Sequence, residues 1–343
     1  MARPSARVLR FLAAVTLFVV AARPASAQVV PPYDSLFVFG DSLADNGNDL
    51  LLSAALGAST PAPPSASPHK TYYRGRFSNG PVAFEYLWQR LTGAAPGSAR
   101  GLRPFLAAPL LGSTGAVDFA FGGTGTPVLD QTPGGFWAPG LKGQVELFKV
   151  GLGGRKPSKN SLFVVVTGAN DYRDDAFNTP MAPPDVVNNI ADAVTRLYNI
   201  GARHIMVLSL PDLGQVPANR DHAADATYLS MVHNALLANA MNALSTLPKI
   251  DLMPIDINAV FGLLPASMNR QVPALAALFP PGSLPPPYPP DFQMAACLFI
   301  DPGTCADVPT FDVGDQFLFW DIVHPTTAAY KVLGDYLYQA LAR

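Results

Sequence analysis

Residues 36–49 read LFVFGDSLADNGND. The apolar run at 36–39 predicts a buried strand, and the run ends abruptly at Gly40-Asp41-Ser42-Leu43. Open α/β sheets place their reacting groups just outside the C-terminal ends of strands, which is where this serine stands. The stretch therefore predicts an α/β sheet that carries a candidate nucleophile, Ser42, at its edge.

Strand-like and helix-like segments alternate along the rest of the chain. Apolar runs of strand length recur at 117–121, 162–167, 204–210 and 251–255. Helical spacing of apolar residues is found at 81–91, 141–150, 185–200, 219–247 and 326–341. Asp185 follows two prolines and is the predicted N-cap of its helix. Short apolar runs between helices indicate a parallel sheet that helices cover on both faces.

Residues 1–27 have the features of an export signal. The segment has a basic start, a twelve-residue apolar stretch at 11–22 and the small residues Ala25-Ser26-Ala27. A membrane anchor would need about 20 apolar residues, so the stretch is too short to span a bilayer. No cysteine follows it to carry a lipid anchor. We expect cleavage after Ala27 and a secreted or periplasmic protein that begins at Gln28.

The composition is that of a globular protein with a large core. Of the 343 residues, 49% are hydrophobic and 14% are charged, and the net charge is −2. Nucleic acid is therefore excluded as a partner, because the chain has no basic excess. We expect one domain over 28–343, which a proline-rich insertion interrupts at about 265–315.

The only two cysteines, Cys297 and Cys305, both lie in this insertion. In an oxidising compartment, a pair so close in sequence is expected to form a disulfide that closes a short loop. The alternative is two free, buried thiols.

A serine needs a base, and the base needs a group that orients it. The chain has five histidines: His69, His204, His222, His233 and His324. His324 lies in Trp320-Asp321-Ile322-Val323-His324-Pro325, just before the last predicted helix. One turn of chain can place the Asp321 carboxylate beside the imidazole, which fixes the tautomer. Asp321 and His324 are therefore the candidate partners of Ser42, although the pattern taken alone also fits a capping aspartate and an unrelated histidine.

Two glycine-containing turns are candidates for binding an oxyanion. Phe121-Gly122-Gly123-Thr124-Gly125 ends one predicted strand, and glycine allows a backbone N–H to approach a substrate closely. Gly168-Ala169-Asn170-Asp171 ends the next, where the Asn170 side-chain amide is a second donor. Each stretch taken alone also fits an ordinary turn.

These four stretches, in this order, resemble the sequence blocks of the SGNH, or GDSL, family of serine esterases and lipases. The resemblance covers about residues 33–341 and includes Gly75-Arg76-Phe77-Ser78-Asn79-Gly80-Pro81, which is similar to plant-type and secreted bacterial members. It implies that Ser42 is the nucleophile, with Asp321 and His324 as the other triad members. The implied oxyanion donors are the Ser42 N–H, Asn170 and Gly123, with Gly122 as the alternative glycine.

The resemblance also implies a fold and an activity. The fold is a three-layer α/β/α sandwich around a mostly parallel, five-stranded, flavodoxin-like sheet. The activity is cofactor-free hydrolysis of carboxylic esters through an acyl-enzyme, with lipid esters as the leading substrate and transient membrane-surface contact as its consequence. Acyl transfer by the same triad and deacetylation of sugars are the alternatives. Because the chain ends at Arg343, we expect no C-terminal autotransporter barrel. The sequence does not specify an oligomeric state.

Other interpretations of the same residues are weaker. An α/β-hydrolase would carry Gly-x-Ser-x-Gly, whereas Ala44 stands at the last position here. A metal-dependent phosphodiesterase could use Asp41, Asp321 and His324 as ligands, but it would need further histidine or carboxylate clusters. A binding module without chemistry would have no need for the serine, the acid–base pair and both donor turns together.

Overall fold

The computed structural model describes residues 32–66, 72–108, 115–174, 179–261, 263–264 and 317–342. The expected signal at 1–27, the insertion at 265–315 and the Cys297–Cys305 disulfide lie outside the described residues, so these and the single-domain division stay predictions. Within the described part of the chain, none of the helices combines the length and the apolarity needed to cross a bilayer.

The described strands are β1 (Ser35–Gly40), β2 (Arg103–Pro104), β3 (Gly115–Asp118), β4 (Leu129–Gln131), β5 (Trp137–Pro139), β6 (Ser161–Val166), β7 (His204–Leu208) and β8 (Asp251–Ile255). The described α-helices are α1 (Asn48–Ala55), α2 (Ala83–Thr92), α3 (Leu141–Leu152), α4 (Pro183–Ile200), α5 (Ala223–Leu244), α6 (Asn258–Phe261) and α7 (Thr327–Leu341). Short 3₁₀ helices lie at Phe105–Ala107, Asn170–Tyr172, Leu213–Gln215 and Pro217–His222.

A six-stranded parallel sheet in the order β2-β3-β1-β6-β7-β8 forms the middle layer. Successive β1 side chains alternate between its faces, so Phe37 and Phe39 pack with α3, α4 and α5, whereas Leu36 and Val38 pack with α2 and α7. The predicted three-layer α/β/α fold is therefore confirmed. Without β2, the strand order is the flavodoxin-like one, and its switch point lies between β1 and β6.

Several predicted boundaries were wrong for identifiable reasons. The sheet has a sixth strand, because β2 is only two residues long and its Pro104 is tolerated at a sheet edge. The strand predicted at 117–121 ends at Asp118, whose carboxylate accepts the Ala120 N–H at 2.9 Å and turns the chain. Asp185 does not cap α4. Ala182 does, since Pro183 fits the first helical position, where no N–H is needed.

Helix α1 and the antiparallel β4–β5 hairpin were not predicted at all. The helix predicted at 219–247 begins as the 3₁₀ helix Pro217–His222 and becomes α-helical at Ala223. These local differences leave the C-terminal ends of β1, β3 and β6 side by side, and the loops that follow them build the candidate site.

Candidate active site

Ser42 lies one residue beyond Asp41 in the tight turn that ends β1. The Asp41 carbonyl accepts the N–H groups of Ala44 and Asp45 at 3.0 Å, and its carboxylate accepts the Leu43 N–H at 3.0 Å. These contacts fix the backbone on both sides of Ser42, which is only 6% exposed. Burial raises the pKa of Asp41 from 3.8 to about 7.

The end of β1 is clamped by a buried glutamine on α3. The Gln144 side chain accepts the Gly40 N–H at 2.8 Å and donates to the Gly40 carbonyl at 2.8 Å. A Cβ at position 40 would collide with the backbone of Val166 on β6, so only glycine fits where these strands meet. The turn that carries Ser42 therefore starts from a fixed point of the sheet.

Asp321 and His324 come from the loop before α7. Asp321 Oδ1 accepts the backbone N–H groups of Val323 and His324 at 2.8 Å and 2.7 Å. His324 Nδ1 donates to Asp321 Oδ2 at 2.6 Å, and the Asp321 side chain is fully buried. The carboxylate thus holds both the loop and the ring, so that Nε2 faces away from Asp321.

His324 Nε2 is hydrogen-bonded to Ser42 Oγ at 2.7 Å, although the two residues are 282 positions apart in the chain. The structure therefore brings together Ser42, His324 and Asp321 in one continuous hydrogen-bonded chain. With Nδ1 protonated, Nε2 can accept the serine proton, which is the arrangement that activates a hydroxyl for attack on a carbonyl.

The glycine loop after β3 is held by Asp45. The Asp45 carboxylate accepts the N–H groups of Gly47, Asn48 and Asp49 at the start of α1, and it also accepts the Gly122 N–H at 3.1 Å. The Gly122 N–H is therefore already hydrogen-bonded within the protein. Among the described residues, nothing accepts the Gly123 N–H.

Gly123 adopts a φ of +72°, a conformation that favours glycine, and a Cβ there would collide with the Pro133 ring. Of the two glycines that the sequence proposed as oxyanion donors, the geometry favours Gly123.

Asn170 opens the short helix that follows β6. Its side-chain amide donates to the Thr124 carbonyl at 3.1 Å, which ties it to the glycine loop. Next to it, the buried Asp171 carboxylate accepts the Thr126 hydroxyl at 2.6 Å and the Thr126 N–H. Burial raises the pKa of Asp171 to about 6. Asp171 thus joins the loops after β3 and β6, and its carboxylate is bonded to Thr126 instead of to His324.

Tyr72 is a site residue that the sequence did not reveal. Its hydroxyl donates to Asp321 Oδ2 at 2.8 Å, and its side chain is 1% exposed. No local motif predicts this contact, because it joins residues that are 249 positions apart in the chain. Phe77 fills the neighbouring space, with its ring centroid 6.0 Å from Tyr72 and 5.1 Å from His324.

The other histidines have different surroundings. His69 lies outside the described residues. His204 pairs with Asp251 at 3.0 Å on the surface. His222 is exposed at the edge of the cleft. His233 is buried against Tyr172, whose hydroxyl lies 2.7 Å from Nδ1, and burial lowers its pKa to about 4. No cluster that could hold a metal occurs among the described residues.

A cleft of about 790 Å³ opens above the C-terminal ends of the strands and is lined by Ser42, Gly123, Asn170 and His324. One wall is apolar and is formed by members of one buried cluster, namely Leu213, Val216, Leu318, Phe319 and Ala329. Ala226 of α5 packs against this cluster from the side. The cleft therefore combines a small polar reaction centre with a larger apolar compartment.

Comparison with known proteins agrees with this geometry. A family model described as GDSL-like Lipase/Acylhydrolase matches residues 36–337. The chain is 31% identical over 250 residues to phosphatidylcholine-sterol acyltransferase of Aeromonas hydrophila, and the match covers 71% of this chain and 63% of that protein. It is 26% identical over 352 residues to a GDSL esterase/lipase of Arabidopsis thaliana, with 92% of each chain covered.

Solved structures align more distantly. An acetylxylan esterase from Geobacillus stearothermophilus gives a TM-score of 0.43 at 12% identity, covering 91% of this chain and 95% of that chain. A lipase/acylhydrolase from Enterococcus faecalis gives 0.39 at 13% identity, covering 90% and 95%. Such scores say nothing about substrate. The match over residues 36–337 confirms the predicted family, and the chain belongs to the GDSL-like lipases and acylhydrolases as a carboxylic ester hydrolase.

Proposed function

We propose that the protein hydrolyses lipid esters through an acyl-enzyme formed on Ser42. Ser42 Oγ attacks the ester carbonyl while His324 Nε2 accepts its proton, and Asp321 stabilises the imidazolium. The Ser42 N–H, the Gly123 N–H and the Asn170 amide bind the oxyanion. His324 then protonates the departing alcohol. Water, activated by the same base, cleaves the acyl-enzyme and releases the acid. The Ser42–His324–Asp321 hydrogen-bonded chain is the observation that carries this proposal.

A fluorophosphonate, which phosphonylates activated serines, tests the nucleophile. We expect one label per molecule on wild-type protein and none on Ser42→Ala. Ser245→Ala, which changes an exposed serine just after the C-terminal end of α5, is the control and should label fully. Labelling that survives Ser42→Ala would refute the assignment. EDTA should leave the rate unchanged, and a loss that added divalent metal restores would favour the metal-dependent interpretation instead.

The apolar wall of the cleft supports a lipid substrate, because it offers an acyl chain a place out of water. A panel of p-nitrophenyl esters of increasing chain length, with a lysophospholipid beside it, measures this preference. We expect kcat/KM to increase with chain length. A preference for acetate over long chains would favour a sugar acetyl ester instead.

Ala226→Phe should shorten the preferred chain, since the new ring would occupy the wall on which Ala226 packs. Ala224→Phe, at an exposed position of the same helix, is the matched control and should leave the chain-length profile unchanged.

Acyl transfer is the second candidate, and the acyltransferase relative from Aeromonas hydrophila favours it. The same acyl-enzyme would pass its acyl group to an alcohol instead of water. Product analysis with phosphatidylcholine, with and without a sterol, separates the two. Sterol ester as the main product would establish transfer, whereas free fatty acid in both reactions would establish hydrolysis.

We also propose that the protein is exported and processed, on the strength of residues 1–27. The mature protein should begin at Gln28 and be recovered outside the cytoplasm, which N-terminal mass spectrometry determines. In the exported protein, Cys297 and Cys305 should resist alkylation until they are reduced. Alkylation without reduction would show two free thiols.

A further inference from the structure

Tyr72 reaches the triad from a part of the chain that contains none of the triad residues. It lies just before the Gly75–Pro81 stretch, and its backbone N–H donates to the Pro64 carbonyl at 2.8 Å. Its ring is packed edge-on against Phe77, which also contacts the His324 ring. The tyrosine is therefore fixed at both its backbone and its ring, with the hydroxyl directed at Asp321.

The hydroxyl binds the one oxygen of Asp321 that also serves His324. Oδ2 accepts from Tyr72 at 2.8 Å and from His324 Nδ1 at 2.6 Å. Oδ1 accepts two backbone N–H groups from the loop itself. Within the described ranges, four donors therefore hold the carboxylate, and Tyr72 and His324 are the two that act through their side chains. A buried carboxylate without enough donors is unstable as an anion.

We propose that Tyr72 is a positioning residue of the triad, which holds Oδ2 of Asp321 in line with His324 Nδ1. Burial, together with the adjacent Asp321 charge, raises the pKa of Tyr72 well above its ordinary value. The hydroxyl therefore stays protonated and remains a donor at every pH at which the enzyme works. This inference rests on the proposed roles of Ser42, His324 and Asp321.

Tyr72→Phe removes one oxygen and keeps the packed ring. Loss of a hydrogen bond to a charged group predicts a fall in kcat of roughly ten- to hundredfold, with KM little changed because the hydroxyl binds no substrate. An anion that has lost a donor binds protons more tightly. The acid limb of the kcat/KM profile, which follows protonation of the Asp321–His324 pair, should therefore move to higher pH. Asp41 and Tyr330, the titratable neighbours that couple to the pair, are present in both proteins.

Tyr86→Phe is the matched control. Tyr86 of α2 lies outside the lining of the cleft, and its hydroxyl is hydrogen-bonded to the Thr327 hydroxyl at 2.7 Å. Its removal should leave kcat within about twofold and the acid limb in place. Circular dichroism and thermal unfolding of both variants establish that each is folded.

A double-mutant cycle with Asp321→Asn distinguishes positioning from a general structural effect. If Tyr72 acts through Asp321, Tyr72→Phe should change kcat by less than about twofold in the Asp321→Asn background. Equal losses in both backgrounds, or an unchanged kcat and acid limb in the single variant, would overturn the inference. If Asp321→Asn alone kept the wild-type rate, the triad assignment would fail instead, so the two failures can be told apart.

Discussion

Asn170 donates one side-chain N–H to the Thr124 carbonyl, and this contact sets the plane of the whole amide. Because the Thr124 loop is itself tied to Asp171 through Thr126, the proposed oxyanion donors of two loops are fixed relative to each other. Donors that are already in place before the reaction do not have to reorganise as charge develops, and this is the main source of their catalytic effect.

Asn170→Ala is expected to lower kcat by roughly 10²–10³-fold, the usual effect of losing one oxyanion donor, with a smaller change in KM. Steady-state kinetics on a short ester measure this. Asn189→Ala is the control, since its amide donates to the Thr126 hydroxyl on the outer side of the same network. It should lower stability more than turnover. A loss at Asn170 that appeared only in KM would make the residue a substrate-positioning group.

Asp321→Asn should preserve the fold and reduce kcat by up to ~10⁴-fold, because an amide can hold His324 in the wrong tautomer. Asp171→Asn is the matched control. Its carboxylate contacts Thr126, so the variant should lose stability and lower kcat far less than Asp321→Asn does. If the two variants lost turnover equally, the orienting role would not belong to Asp321 alone.

At the scale of elements, the segment Gly75–Pro81 is hydrogen-bonded to the end of the loop that carries Asp321 and His324. The Ser78 hydroxyl donates to the Pro325 carbonyl at 2.8 Å, and the Asn79 side chain accepts the Thr327 N–H at 2.8 Å at the start of α7. Arg76 forms a two-pronged ion pair with Glu85 of α2, which also accepts the Val82 N–H. This segment thus connects α2 and α7 beside His324.

Glu85→Ala should reduce the free energy of unfolding by about 3–5 kcal/mol, since it leaves the buried Arg76 charge without its partner. Urea unfolding measures the change. Asp335→Ala breaks the Arg90–Asp335 pair, which joins the same two helices, but there both side chains are more than a third exposed. That variant should change stability by less than about 1 kcal/mol. Similar losses in both variants would contradict the role given to burial.

The sequence predicted those elements whose signal is local. β1 and β6 are continuous apolar runs, and each proved buried along its whole length. Helix α1 was not predicted, although Asp45 accepts the N–H groups of its first turn. Asp45 belongs to the same sequence block as Ser42, so the motif concealed the helix start.

Tyr72 and Gln144 could not have been predicted from the chain alone. Their partners are 249 and 104 residues away, and only the sheet order and the helix packing bring them together. The family motif made Ser42, Asp321 and His324 the predicted triad, although nothing in their own sequence surroundings encodes the 2.7 Å contact between Ser42 and His324.

At the scale of the whole molecule, the buried carboxyls should make the protein more stable in mild acid. Burial raises the pKa of Asp41 to about 7 and of Asp171 to about 6, and it raises those of Asp49 and Asp118 well above 3.8. Between pH 4 and these values the native protein holds protons that the unfolded chain has released. His233 acts in the opposite direction, because its pKa is lowered to about 4, but it is one group against several.

The free energy of unfolding should therefore increase as pH falls from 8 to 5, by roughly 1 kcal/mol per pH unit. Urea unfolding at a series of pH values tests this trend. Asp171→Asn should flatten the stability trend by removing one titrating group. A free energy of unfolding that declined steadily from pH 8 to 5 would contradict the expectation.

The distance in sequence between Ser42 and His324 has a consequence for biosynthesis. A ribosome completes the serine turn early and the histidine loop only 282 residues later, shortly before α7. If His324 is the base for Ser42, the growing chain lacks that base until synthesis is nearly complete. We therefore expect no ester cleavage before the His324 loop and α7 have been made. The onset of ester hydrolysis after synthesis should therefore report when the His324 loop and α7 complete the fold.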